Sequence, residues 1–174
     1  MTNILLQYYQ KYPFIFNYFD FLRDLLLAFQ LILIFSFIFA SKKWKYIFYY
    51  LSIFLFAFLV ATFFKSYFPS LRPISYFCET QNLICDGLRY DSFPSRHTLI
   101  SFASSLTLIF QNFKLGIFSL ALTILIAILS LLSLRHWLID VIFGFIFGFI
   151  VFWILFKLSK FFNWFDVNQR QSKA

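Results

Sequence analysis

Charge is what this sequence has least of. Only 13% of its 174 residues are Asp, Glu, Lys or Arg, against about 25% in an ordinary soluble domain. So little charge cannot coat a globule of this size, which excludes a soluble enzyme, a disordered chain and a coiled coil. Two cysteines exclude a disulfide-rich miniprotein. Only two histidines occur, and neither the His-Glu-x-x-His nor any Cys–His ligand spacing is present, so no metal or other cofactor is expected. Glycine and proline number four each, and neither a Walker-type glycine loop nor a G-x-S-x-G elbow is found. The net charge of +8 is dispersed, with no basic run of about five or more, so nucleic acid is not an expected partner. The first residues lack a basic start and a small-residue cleavage site, so they do not read as a cleavable signal.

What is there is apolar. Hydrophobic residues make up 61% of the chain, 30 of them Phe, and mean hydropathy is +0.80. The apolar runs are continuous, whereas barrel strands alternate. The expected fold is therefore an all-α, polytopic membrane helical bundle. A span needs about 20 apolar residues, and five stretches qualify: 22–40, 46–64, 98–113, 115–134 and 137–158. The third is short and rich in Ser and Thr. Residues 1–21 are aromatic and interrupted by Pro13, which reads as an N-terminal interfacial helix, with a sixth, imperfect span as the alternative. Residues 22–158 then form the membrane domain and 159–174 a cytoplasmic tail.

Lys42, Lys43, Lys45, Lys114, Lys157, Lys160, Arg170 and Lys173 all fall on one side of a five-span bundle. Positive loops face the cytoplasm. The loop from Lys65 to His97 and the turn at Arg135 and His136 then face outward. Cys78 and Cys85 share that outward loop, where a disulfide or two free thiols are equally open.

Three polar clusters adjoin span ends on that outward side. The first holds Lys65, Arg72 and Pro73; its prolines let the chain fold back and aim both cations at one anion. The second holds Pro94, Ser95, Arg96 and His97 at a helix start, where free N–H groups bind anions. The third holds Arg135, His136 and Asp140, with His136 and Asp140 at i, i+4. A carboxylate bonded to one imidazole nitrogen leaves the other basic. Singly, each has a plainer reading: snorkelling cations, an N-cap, a buried His–Asp pair. Together, ionisable residues at one membrane face point to one site.

In order and spacing these residues resemble the type 2 phosphatidic acid phosphatase family, membrane lipid phosphatases that share their core with vanadium-dependent haloperoxidases. The family pattern is K-x6-R-P, then P-S-G-H, then S-R-x5-H-x3-D. Lys65, Arg72 and Pro73 match the first part. Pro94, Ser95 and His97 match the second, with Arg96 in place of glycine. His136 and Asp140 match the end of the third, and Gly144 the continuation beyond it. The family's arginine would fall at Ser130, so one phosphate-binding cation is missing; Arg96 is the first substitute to consider and Arg135 the second. Gly144 and Gly148 read as close intramolecular packing beside the site.

The resemblance implies a metal-independent phosphatase of the cytoplasmic membrane whose site faces outward. Lys65, Arg72, Ser95 and Arg96 or Arg135 would hold the phosphate of a membrane lipid. His136, oriented by Asp140, would attack it, and His97 would protonate the leaving group. The undecaprenyl pyrophosphate phosphatases are the branch the short chain resembles. A lipid phosphotransferase of the same fold, and an impaired member that binds lipid or scaffolds partners, are the competing readings.

Overall fold

A computed structural model of the chain describes residues 11, 13–42, 44–80 and 87–161. Most of the expected interfacial segment (1–10), Lys43, Cys85 and the tail from 162 lie outside them. Six helices follow one another among the described residues: α1 Pro13–Ser41, α2 Lys45–Tyr67, α3 Pro73–Thr80, α4 Arg96–Gln111, α5 Phe113–Leu132 and α6 Leu138–Phe161. Four of them are long and apolar enough to cross a bilayer, over Phe14–Ser41, Lys45–Tyr67, Phe113–Leu132 and Leu138–Lys160.

Helix α1 departs from the expected boundary. Pro13 does not interrupt it but begins it, because a proline in the first helical turn removes no intrahelical hydrogen bond. Its 29 residues extend about 43 Å at the usual rise, so the helix begins well before residue 22.

Helix α4 is the hub, packed between α5 and α6 and touching α1 and α2. It has 16 residues, and its buried face is mostly small side chains, Thr98, Ser101, Ala103, Ser104, Ser105 and Thr107, with Leu99 and Leu108 among them. Small residues let backbones approach without a hydrophobic driving force between helices. On α6, a Cβ added at Gly144 would lie 2.9 Å from the Ser95 carbonyl oxygen, and one at Gly148 would lie 2.8 Å from that of Leu99. The two glycines thus serve intramolecular packing, as expected. Gln30 of α1 crosses into the same core: it accepts from Ser101 Oγ at 2.6 Å and donates to Ser119 Oγ at 2.7 Å. Ser105 and Thr123 complete this dry network, which ties α1, α4 and α5 together where water cannot compete.

This order of helices puts the α1–α2 turn, the α4–α5 turn and the end of α6 at one end of the bundle. The α2–α4 connection and the α5–α6 turn lie at the other. All three polar clusters belong to the second end.

Candidate active site

Lys65 stands in the last turn of α2, which stops at Tyr67 before the prolines at 69 and 73. Between them the chain is extended and pairs with the segment before Pro94: Ser70 N–H donates to the Tyr90 carbonyl at 3.0 Å, Arg72 N–H to Arg89 at 2.9 Å, and Ser92 N–H to Ser70 at 3.0 Å. This short ladder fixes Arg72 beside Asp91, with Nη2 to Oδ2 at 2.7 Å. The Lys65 ammonium donates to the carbonyl of Asp91. Burial works to raise the Asp91 carboxyl, but the Arg72 hydrogen bond and charge outweigh it and hold it below the usual carboxylate range. Lys65 and Arg72 therefore converge on one residue, and its role as their shared anchor was not visible in the sequence.

Ser95 is the N-cap of α4, in extended conformation. Its hydroxyl is fully buried and shares a hydrogen bond with Thr98 Oγ1 at 3.0 Å. Its N–H donates to the Asp140 carbonyl at 3.0 Å. Both polar groups of Ser95 thus have protein partners, and the donor surface here is the first turn of α4, whose N–H groups lack intrahelical acceptors.

His136 lies in the turn between α5 and α6, where Leu134 takes up a left-handed φ of 53° and His136 N–H reaches back to the Ser130 carbonyl at 3.3 Å. Its Nδ1 is 2.7 Å from the carbonyl oxygen of Ser92. A carbonyl only accepts, so Nδ1 carries the proton and Nε2 keeps its lone pair. The expected direct bond to Asp140 is not made: Nδ1 and Oδ2 are 3.8 Å apart. Helix α6 begins at Leu138, so His136 precedes it and the i, i+4 rule does not reach that pair. Asp140 Oδ2 instead accepts from Ser92 Oγ at 2.5 Å and from Trp137 N–H at 2.8 Å. Ser92, absent from the motifs, is thus the joint between the carboxylate and the ring. Burial pulls the imidazole below its ordinary pKa against the influence of Asp140, so the ring is neutral at pH 7.

The sequence reading also missed α1. Asp20, Arg23 and Asp24 form a chain of ion pairs, Arg23 bonding Asp20 and Asp24 at 2.7 Å each. Asp20 continues to Arg135 at 2.7 Å, and Asp24 to His97 Nε2 at 3.1 Å. The signal was present: three ionisable residues within an otherwise apolar spanning helix are functional candidates by default. Of the expected substitutes for the missing arginine, Arg135 is paired with Asp20. Arg96 is exposed, with its guanidinium 5.7 Å from the centre of the Phe58 ring. Ser130 is buried and bonds back to the Ile126 carbonyl at 2.8 Å.

Cys78 is buried on α3; Cys85, its candidate partner, lies outside the described residues. Among the described residues no cluster of His, Cys, Asp and Glu has the makings of a metal site. Beside the site, α2 and α6 flank a cavity of about 680 Å³ walled by Phe64, Phe68, Phe93, Phe143 and Phe147, with Asp140 at its edge.

The structure thus gathers Lys65, Arg72, His136, Asp140 and His97 at one end of a membrane bundle. Among curated proteins, none matches this sequence. The crystal structure of Aquifex aeolicus LpxE shares the fold, with a TM-score of 0.61 and 21% identity, covering 84% of this chain and 87% of that one. The model of the PAP2 superfamily matches residues 43–164, from before Lys65 to beyond Asp140. The chain belongs to that superfamily, the type 2 phosphatidic acid phosphatases its motifs resemble.

Proposed function

We propose that this membrane lipid phosphatase acts through a phosphohistidine on His136, with no metal in the step. One observation carries the reading: the Ser92 carbonyl accepts a hydrogen bond from Nδ1–H of a buried, neutral imidazole, which leaves Nε2 nucleophilic at the end of the bundle that holds Lys65 and Arg72. These two cations and the first turn of α4 bind the phosphate and stabilise its equatorial oxygens as the transition state forms. Nε2 attacks phosphorus, and the bond to the leaving oxygen breaks. His97 gives that oxygen a proton. Water then attacks the phosphohistidine and frees His136 and inorganic phosphate. Asp140 favours the positive charge that His136 carries in between.

The lysines at the other end of the bundle, Lys42, Lys45, Lys114, Lys157 and Lys160, support a cytoplasmic orientation for that end and an outward-facing site. Within the class of lipid phosphates and pyrophosphates, undecaprenyl pyrophosphate is the substrate we place first, on the resemblance of the short chain to that branch. The test is phosphate release by the purified protein in vesicles from a panel holding undecaprenyl pyrophosphate, phosphatidate and phosphatidylglycerophosphate. Release from at least one, inhibited by vanadate and abolished by His136→Ala, is the expected result. Undiminished release by His136→Ala overturns the mechanism.

A further inference from the structure

Helix α1 lies before the stretch that the superfamily model matches, yet it delivers three charges to the site. We propose that Asp24 is the positioning residue of His97, holding the ring in place and favouring its protonated form so that it can serve as the proton donor. This inference rests on the phosphatase reading above.

Four observations carry it. Asp24 Oδ1 is 3.1 Å from His97 Nε2. The same oxygen accepts from Arg23 Nε at 3.0 Å and Nη2 at 2.7 Å, so the carboxylate is not free to swing away. Arg23 is itself 5% exposed and anchored on its other side by Asp20. Finally, burial pulls His97 down to about 3, and Arg23 from α1, His136 from the α5–α6 turn and Arg96 from its own helix add to that pull, as does the positive end of the α4 dipole. Among these groups Asp24 is the anion. Three charges in a spanning helix are costly, and a structural role for α1 would be filled more cheaply by apolar side chains.

With Asp24 bonded to Nε2, Nδ1–H is the proton that moves. As the bond from phosphorus to the leaving oxygen breaks, Nδ1 gives its proton to that oxygen and the ring becomes neutral. In the second step Nδ1 takes a proton from the water that attacks the phosphohistidine, which restores the imidazolium. Asp24 is half-exposed and keeps the pair in contact with solvent.

The experiment compares the wild-type chain with Asp24→Asn and Asp24→Glu in vesicles. On a lipid phosphate with an alkoxide leaving group, Asp24→Asn should lower kcat roughly 10- to 100-fold, a part of what general acid catalysis supplies. Its kcat/KM profile should lose its basic limb about one pH unit earlier. On p-nitrophenyl phosphate, whose leaving group needs no proton, the loss should nearly vanish, and Asp24→Glu should recover much of the alkoxide activity. Equal losses on both substrates with an unmoved basic limb overturn the proposal, as does a wild-type profile. NMR titration of His97 in both proteins gives a reading without turnover. An unshifted midpoint in Asp24→Asn overturns the proposal. A lowered midpoint in a wild-type background that releases no phosphate upholds the Asp24–His97 coupling and overturns the phosphatase reading instead.

Discussion

Replacing Asp140 by asparagine isolates what its charge contributes. Asparagine keeps an oxygen to accept from Ser92 Oγ and Trp137 N–H, now at 2.5 and 2.8 Å, so the local geometry survives while the charge goes. In the proposed phosphohistidine step the ring of His136 becomes positive, 3.8 Å from Asp140 Oδ2. At an effective dielectric of about 20, that attraction is about 4 kcal/mol, which caps the loss in kcat near a thousandfold. The tautomer, however, is held by the Ser92 carbonyl. The loss should therefore fall short of the roughly 10⁴-fold seen where the carboxylate itself holds the imidazole proton. We expect Asp140→Asn to lower kcat about 100- to 1,000-fold, and Asp140→Ala to cost more because it also frees Ser92. The assay is phosphate release at saturating lipid phosphate. A loss under about threefold would show that the charge is not felt at His136. A loss as complete as that of His136→Ala would show that the carbonyl does not hold the tautomer.

Three further outcomes follow from named contacts. Gly144→Ala sets a methyl 2.9 Å from the Ser95 carbonyl and 3.0 Å from Thr98 Cβ, so thermal unfolding in detergent should show a destabilisation of about 1–3 kcal/mol; an unchanged Tm would refute the close approach of α4 and α6. Because burial holds His136 below its ordinary pKa, its unfolded form binds more protons in the window below about 6.5. Its contribution to stability is present above that value and is lost as pH falls, and the acid limb of kcat/KM set by His136 should lie below 6.5 rather than at it. Arg135→Ala should impair phosphate release more than Arg96→Ala, since Arg135 is locked to α1 beside the nucleophile while Arg96 is exposed over Phe58; the reverse order would restore Arg96 as the stand-in for the missing arginine.

The bundle was legible because each spanning run is continuous, and hydropathy needs no partner to be read. Helix α1 starts earlier than the expected span because Pro13 reads as a break where the first turn tolerates it. The expected third span, 98–113, is instead the 16-residue α4, which is not among the four helices long and apolar enough to cross a bilayer. Its many Ser and Thr side chains make sense once Gln30 is seen to reach them, a contact across 71 residues that no local pattern announces.

The site divides in the same way. That Lys65, Arg72, His97, His136 and Asp140 gather at one end of the bundle was legible because spacing in one chain preserved them as motifs. What spacing could not convey is which partner each finds. Asp140 and His136 stand four apart, but the helix that would align them starts between them, so the carboxylate reaches the ring through Ser92. Arg135 and His97 find their partners on α1, far away in sequence. Arg72 is paired with Asp91 and Arg135 with Asp20, while Lys65 donates to a neutral carbonyl. On the proposed function, a phosphate entering the site would meet Lys65 as a cation with no carboxylate hydrogen-bonded to its ammonium. It must share or displace a carboxylate to reach either arginine. With Ser130 where the family pattern has an arginine, the proposed function gives the first grip on an anion to Lys65 and the start of α4.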